Sequence, residues 1–212
     1  MTNSRIAIVG IDLISASIAY ALHKREEPIE LVGYDADRTV ADLAKVRGAL
    51  DDTRRKPGPA CEGAELVIVA QPLADLESTF AAISPHLEEG AVVTDTARLK
   101  GPVLRWAEEI LPERVHFVGG HVIPNPAVLA LRTLDGLKDA EAELLREALY
   151  CFTPSTKTPS AALDLCSWLA YAVDAQPFFI DVKEHDGLLA GVEGLPDLLT
   201  VALLRTTIDS PG

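Results

Sequence analysis

Four consecutive apolar residues, Ile6-Ala7-Ile8-Val9, run straight into Gly10 and then into a helical repeat. A short β-branched run without polar alternation reads as a parallel strand buried on both faces. Leu13, Ile14, Ala16, Ile18, Ala21 and Leu22 recur at helical spacing up to Lys24, so strand and helix meet across one tight turn. The unit then repeats. Glu30 to Tyr34 reads as a strand with a helix over Arg38 to Val46, and Leu66 to Ala70 as a strand with a helix from about Pro72 to Ile83. Ala91 to Thr94 is a further strand, followed by a helix from about Leu99 to Ile110 and a strand over Val115 to Val118. Strands alternating with helices of this length predict an α/β chain, a Rossmann-type, doubly wound, mainly parallel sheet with helices on both faces.

After His121 the alternation loosens. Val122 to Pro126 holds two prolines around Asn125 and reads as an extended loop, as does the polar stretch Arg54 to Pro59. Glu141 to Leu149 reads as helical, Tyr150 to Thr153 as strand-like, Ala161 to Val173 as helical, and Pro177 to Asp181 as the last strand. From Glu184 the chain is helical again, interrupted near Gly194-Leu195-Pro196. The expected division is a dinucleotide-binding domain over 1–181 and the beginning of a truncated helical domain, for dimerisation or substrate, over 182–212. The chain stops in Asp209-Ser210-Pro211-Gly212 without an evident closing helix.

Composition narrows the partners. The net charge of −13 argues against nucleic acid, which is held by clustered Lys and Arg. Three cysteines, Cys61, Cys151 and Cys166, form no metal-type pair, and an odd number makes a poor disulfide framework, so a reducing cytoplasm is expected. Met1 to Arg5 is too short for a signal peptide. The apolar stretch Gly187 to Leu204 contains Glu193, Pro196 and Asp197, which argues against a membrane span.

The strand–Gly10–helix junction is where a dinucleotide pyrophosphate is expected, held by backbone N–H groups at a helix N-terminus. Where the usual pattern is G-x-G-x-x-G, the chain reads Gly10-Ile11-Asp12-Leu13-Ile14-Ser15, so only the first glycine is present. Ser15 is small enough for close helix–strand packing. Asp12 sets a carboxylate where the pyrophosphate belongs, and two unit charges ~4 Å apart repel by roughly 1 kcal/mol in water and about 4 at an effective dielectric near 20. Two readings of Asp12 stand open: a helix N-cap that fills the anion site itself, or a residue tolerated beside a cofactor with a displaced loop. Asp35, closing Leu31-Val32-Gly33-Tyr34-Asp35, suits a ribose 2′-hydroxyl and favours NAD over NADP, a preference that nearby Arg38 softens. Ala70-Gln71-Pro72, at the end of a later strand, supplies the third expected contact. The cofactor-binding set is therefore Gly10, Asp12, Leu13, Ile14, Asp35, Arg38, Ala70, Gln71 and Pro72, with weakened NAD binding expected.

Two further segments are more specific: Val93-Thr94-Asp95-Thr96-Ala97-Arg98-Leu99-Lys100-Gly101 and Phe117-Val118-Gly119-Gly120-His121. With Ile6 to Ile14, Val32 to Asp35 and Glu184-His185-Asp186, they make a chain that resembles the prephenate/arogenate dehydrogenase family from about Arg5 to about Leu204. Gly-Gly-His after a short strand carries most of the resemblance, because a Rossmann fold alone does not demand it. The resemblance implies that His121 takes a proton from the ring hydroxyl of prephenate while hydride passes to the nicotinamide and carbon dioxide leaves. That work calls for a neutral imidazole poised near working pH.

The chain departs from the family at several places. Arg98 stands where the family commonly has a serine assisting the histidine, and is expected beside His121, pairing with a substrate carboxylate. Val122-Ile123-Pro124-Asn125 replaces Pro-Met-Ala-Gly, and Glu193-Gly194-Leu195-Pro196-Asp197 replaces Ser-His-Leu-Pro-His, so both substrate-holding histidines are missing. The family's carboxylate-pairing arginine has its place past Gly212. His23, His86 and His116 read as surface residues, and His185 as a structural residue at a helix start.

Two functions from different classes follow. One is an NAD(P)-dependent oxidoreductase of tyrosine synthesis acting on a prephenate-like acid as a homodimer. The other is a cofactor-poor relative that binds a metabolite or regulates. Asp35 and Gly-Gly-His121 favour the first; Asp12, Gly194 and Asp197 favour the second. Another reductase of the same architecture is disfavoured, since its catalytic lysine belongs in the helical part, where Lys183 stands alone.

Overall fold

The structure is a computed structural model and describes residues 4–25, 27–130, 134 and 136–208. The expectations for residues 1–3 and 209–212 lie outside the described residues. The strands are β1 (Ser4–Val9), β2 (Ile29–Tyr34), β3 (Asp52–Thr53), β4 (Leu66–Val69), β5 (Val92–Asp95), β6 (His116–Ile123), β7 (Leu149–Pro154) and β8 (Gln176–Phe179). They form a sheet in the order β3-β2-β1-β4-β5-β6-β7-β8. Every neighbouring pair is parallel except β6 and β7. The helices are α1 (Leu13–His23), α2 (Arg38–Val46), α3 (Pro57–Cys61), α4 (Leu73–Ile83), α5 (Gly101–Ile110), α6 (Pro126–Leu129), α7 (Ser160–Ala172), α8 (Val182–Leu189) and α9 (Leu195–Ile208).

Alternation along each strand builds two cores. Ile6 and Ile8 of β1, with Leu31, Leu66 and Ile68, pack beneath α1 and α7, while Ala7 and Val9 with Val67, Val69 and Val93 pack beneath α4 and α5 through Leu76, Phe80 and Val103. Sequence order reverses between β1 and β4, so their carboxyl ends flank the crevice where doubly wound sheets take ligands.

Three expectations change. The sequence-based strand ending at Val118 continues through His121 to Ile123, because β7 pairs antiparallel with it in the register His121↔Cys151. The predicted helix over Glu141 to Leu149 shrinks to a 3-10 turn at Ala142–Leu145, and Leu149 already belongs to β7. Tertiary pairing overrode local propensity there: Glu147 takes a left-handed φ of 57° and its N–H donates to Asp174 O at 2.8 Å. Within the polar loop over Arg54 to Pro59, Pro57 opens the short helix α3, a proline at the first helical turn.

The two glycines before His121 are demanded by packing. A Cβ on Gly119 would lie 2.4 Å from Thr153 Oγ1, and one on Gly120 would lie 2.4 Å from the backbone oxygen of Asp95 and 2.7 Å from Thr94 Oγ1. Gly120→Ala forces backbone apart and is expected to cost roughly 1–3 kcal/mol, the usual range for overpacking. Urea unfolding should show the lowered midpoint; an unchanged midpoint would mean the sheet gives way freely at this position.

Candidate active site

The nucleotide end is assembled where β1 meets α1. Gly10 has φ +89°, and a Cβ there would lie 2.3 Å from Ala70 O, so the turn closes against the end of β4 only with glycine. Asp35, just past β2, accepts the Ile11 N–H at 2.8 Å through Oδ2 and the Asp37 N–H at 2.8 Å through Oδ1. Asp12 caps α1: its Oδ1 accepts the Ser15 N–H at 2.8 Å, and Ser15 Oγ accepts the Asp12 N–H at 2.9 Å. This reciprocal capping box uses the Ser15 amide, which the pyrophosphate would otherwise share. The amides of Leu13 and Ile14 open the helix and have no intrahelical acceptor. Arg38 pairs with Asp42 at 2.8 Å one turn along α2. A dinucleotide therefore fits at Asp35 and at the Leu13 and Ile14 amides, with one opposing charge at Asp12.

Next to this turn lies a cleft of about 740 Å³ whose walls include Asp12, Ala70, Gln71, Pro72, Arg98 and Asp186. Glu193 and Asp197, from the helical stretch beyond α8, complete the far wall. Arg98 reaches across and pairs with Glu193. Arg98, expected beside His121 and free for a substrate carboxylate, instead lies on the cleft wall and already holds a carboxylate of its own chain. Gly10, Leu13, Ile14, Asp35 and Arg38 lie outside the cleft's lining.

His121 is placed differently from the sequence-based expectation. Only 6 % of it is exposed, and it is off the cleft wall. Its strand is paired along β7, and His185 from α8 meets its ring edge-on, with Nδ1 of His121 3.1 Å from Nε2 of His185. His185 Nδ1 in turn lies 2.9 Å from Asp186 Oδ1. Asp186 is on the cleft wall, and its carboxylate accepts the Lys100 N–H at 2.9 Å and the Gly101 N–H at 2.8 Å, capping α5. Burial acts to raise the Asp186 carboxyl, but the hydrogen bonds from Lys100, His185 and Gly101 outweigh it and hold the group below the usual carboxylate range. His185, expected only to mark a helix start, is therefore buried against the site.

A second charged pair underlies the site. Lys100 Nζ, fully buried, pairs with the buried carboxylate of Asp95 and donates to Gly120 O at 2.6 Å. Asp95 also accepts the Gly120 N–H at 3.0 Å and the Ala97 N–H at 2.9 Å, so every carboxylate oxygen is engaged. Neither Lys100 nor Asp95 drew a role from the sequence. The signal was faint, an acid and a lysine five apart in a strand-to-helix loop.

Burial, then the Lys100 ammonium, His185 and Arg98, push the His121 imidazole down to about 4, against a smaller opposing pull from Asp186. The ring is neutral at neutral pH, and well below the near-neutral value expected of a base poised at working pH. Since the folded value lies below the ordinary 6.5, protonation favours the unfolded chain. Stability from this group is full above about pH 6.5 and is lost as pH falls towards 4.

The family profile described as prephenate dehydrogenase, nucleotide-binding domain, matches residues 18–176, which include Asp35, Arg98 and His121. The chain belongs to this family. It is 28 % identical over 206 residues to the prephenate dehydrogenase of Bacillus subtilis, covering 95 % of this chain and 53 % of that protein. It is 27 % identical over 207 residues to the prephenate dehydrogenase of Lactococcus lactis, covering 97 % of this chain and 54 % of that one. The chain thus spans about half the length of these relatives. In fold it matches the prephenate dehydrogenase of A. aeolicus, solved in complex with hydroxyphenyl propionate and NAD+, with a TM-score of 0.86 and 24 % identity over 100 % of this chain and 72 % of that one. The matched profile begins past the glycine turn and ends before α8, so Asp12, His185, Asp186 and Glu193 lie outside it.

Urea midpoints measured from pH 7 down to pH 4 should fall in the unmodified protein, and fall less steeply in His121→Asn. Parallel slopes in the two proteins would show that His121 keeps an ordinary imidazole.

Proposed function

We propose that this chain forms the nucleotide-binding part of a prephenate dehydrogenase-type oxidoreductase of tyrosine biosynthesis, which oxidises a prephenate-like cyclohexadienyl acid with loss of carbon dioxide. The observation that carries this reading is the state of His121. It is neutral, its Nδ1 is engaged by His185, and Nε2 makes no hydrogen bond among the described residues. That nitrogen is the one left to take the ring hydroxyl's proton. Bound NAD(P) supplies the hydride acceptor. Asp35 and the amides of Leu13 and Ile14 hold the dinucleotide, and the acid favours NAD, since Arg38 is paired within its own helix. Arg98, released from Glu193, binds a carboxylate of the substrate; an exposed ion pair of this kind is worth about 0–1 kcal/mol and exchanges readily.

The stretch over 182–208 serves in this reading as the start of a helical domain through which two copies associate. Leu188, Val192, Leu198, Leu203 and Ile208 are exposed along it. By length and mean hydropathy, 1.6, this helix is also able to cross a membrane. It nevertheless carries Glu184, Asp186, Glu193 and Asp197, and its first turn is tied to the sheet through His185 and Asp186. The reading is therefore a cytoplasmic one, in keeping with three free, buried thiols.

The capped Asp12 favours a second reading, a cofactor-poor relative that keeps the fold to bind a metabolite. Calorimetry separates the two. NAD(H) should bind weakly to the unmodified chain, and Asp12→Gly should tighten binding at least tenfold, as removal of about 1.4 kcal/mol of repulsion implies. Submicromolar NAD binding without the substitution would discard the second reading, and no binding even by Asp12→Gly would discard the first.

For the oxidoreductase reading, turnover of prephenate with NAD should drop by roughly two to four orders of magnitude in His121→Asn, the usual worth of a general base. Undiminished turnover in that variant would exclude His121 as the base.

A further inference from the structure

The unassigned feature is the chain of hydrogen bonds that joins the second residue of Gly120-His121 to a carboxylate 65 positions away in sequence, on a different element. Its direction follows from what each atom can do. Asp186 is ionised and accepts only; two of its bonds come from the Lys100 and Gly101 amides that open α5. The nitrogen of His185 facing it, Nδ1, must therefore carry the proton. In a neutral His185, Nε2 is then an acceptor, and the nitrogen that meets it, Nδ1 of His121, must donate. What remains on His121 is a lone pair at Nε2.

We propose that His185 and Asp186 act as positioning residues for His121, fixing its proton on Nδ1 so that Nε2 is the basic nitrogen. The inference deepens the oxidoreductase reading and rests on it for its functional meaning, while the relay itself is a property of the folded chain. A solvated histidine side chain prefers the opposite tautomer, with the proton on Nε2, so the relay leaves a signature that packing alone does not. It also makes α8 part of the base. The helix that contributes Asp186 to the cleft wall sets the acceptor behind His121, so a shift of its first turn returns the ring to its free preference.

Imidazole 15N spectra of the unmodified protein at pH 7 should show His121 protonated mainly on Nδ1. In His185→Phe, which keeps a ring but removes the acceptor, the proton should move to Nε2; in His185→Gln, whose side-chain oxygen still accepts, Nδ1 protonation should persist. Asp186→Ala removes the acceptor of His185 Nδ1, so the His185 proton should return to Nε2 and donate to His121 Nδ1, leaving His121 protonated on Nε2, with turnover lowered by roughly 10²–10⁴ if His121 is the base. His121 protonated on Nε2 in the unmodified protein, or the same tautomer in all four proteins, would overturn the relay. A correct tautomer series with no prephenate turnover in the unmodified protein would leave the relay standing and remove the oxidoreductase reading instead. Should His185→Phe fail to fold, the contrast between His185→Gln and Asp186→Ala reads the same quantity.

Discussion

Lys100 and Asp95 form an ion pair with no access to solvent, set between the end of β5 and the start of α5. Taking two charges out of water is costly, and such a pair survives only when its remaining donors and acceptors are met. Here the carboxylate takes two backbone amides besides the ammonium, and the ammonium reaches the Gly120 carbonyl. Around it the packing leaves no volume at residues 119 and 120, where a Cβ would strike the hydroxyls of Thr153 and Thr94 or the backbone oxygen of Asp95. The buried pair holds Gly120 by both its N–H and its carbonyl, and so anchors the strand one residue before His121. Removing one partner of such a pair typically costs about 3–5 kcal/mol, because the other is left charged and dry.

The same lysine lowers the proton affinity of the histidine it helps to place. Its charge adds to burial in keeping His121 neutral, whereas Asp186 pulls weakly the other way. Asp186 does its work through geometry more than through charge at His121. It closes the N-terminus of α5, where a carboxylate satisfies orphan amides and faces the positive end of the helix dipole. One carboxylate thus joins the sheet, the helix that follows β5, and the helix that leaves the sheet altogether.

At the nucleotide end the balance is less favourable to a ligand. Asp12 and Ser15 cap α1 with each other, which stabilises the helix start and takes one amide from an anion. Two amides and the Asp35 carboxylate remain on the same edge. The cleft beside them carries Asp12, Asp186, Glu193 and Asp197 against the single guanidinium of Arg98. Anionic ligands meet a negative field there, and Arg98 is the group that offsets it.

The alternation of buried strands and helices was legible from Ile6 to Val118, because hydrophobic period and strand length are local properties. Gly10, Asp35 and His121 were legible as candidate positions for the same reason: each stands at a strand end or junction that the pattern marks, and the resemblance added the meaning of Gly-Gly-His. The capping role of Asp12 was one of two open readings, settled only when Ser15 was seen to return its bond. What the sequence alone determined is thus the alternation of buried strands and helices over residues 6–118 and the places where chemistry can sit. Tertiary structure decided how those places are wired. The extension of β6 through His121 depends on pairing with β7, the loss of a helix at 141–149 depends on the same strand, and the contact of His121 with His185 joins residues with no periodicity between them. Hydrogen-bond direction, burial and the pull of a hidden lysine act through space, so they enter only once distant segments are brought within a few ångströms.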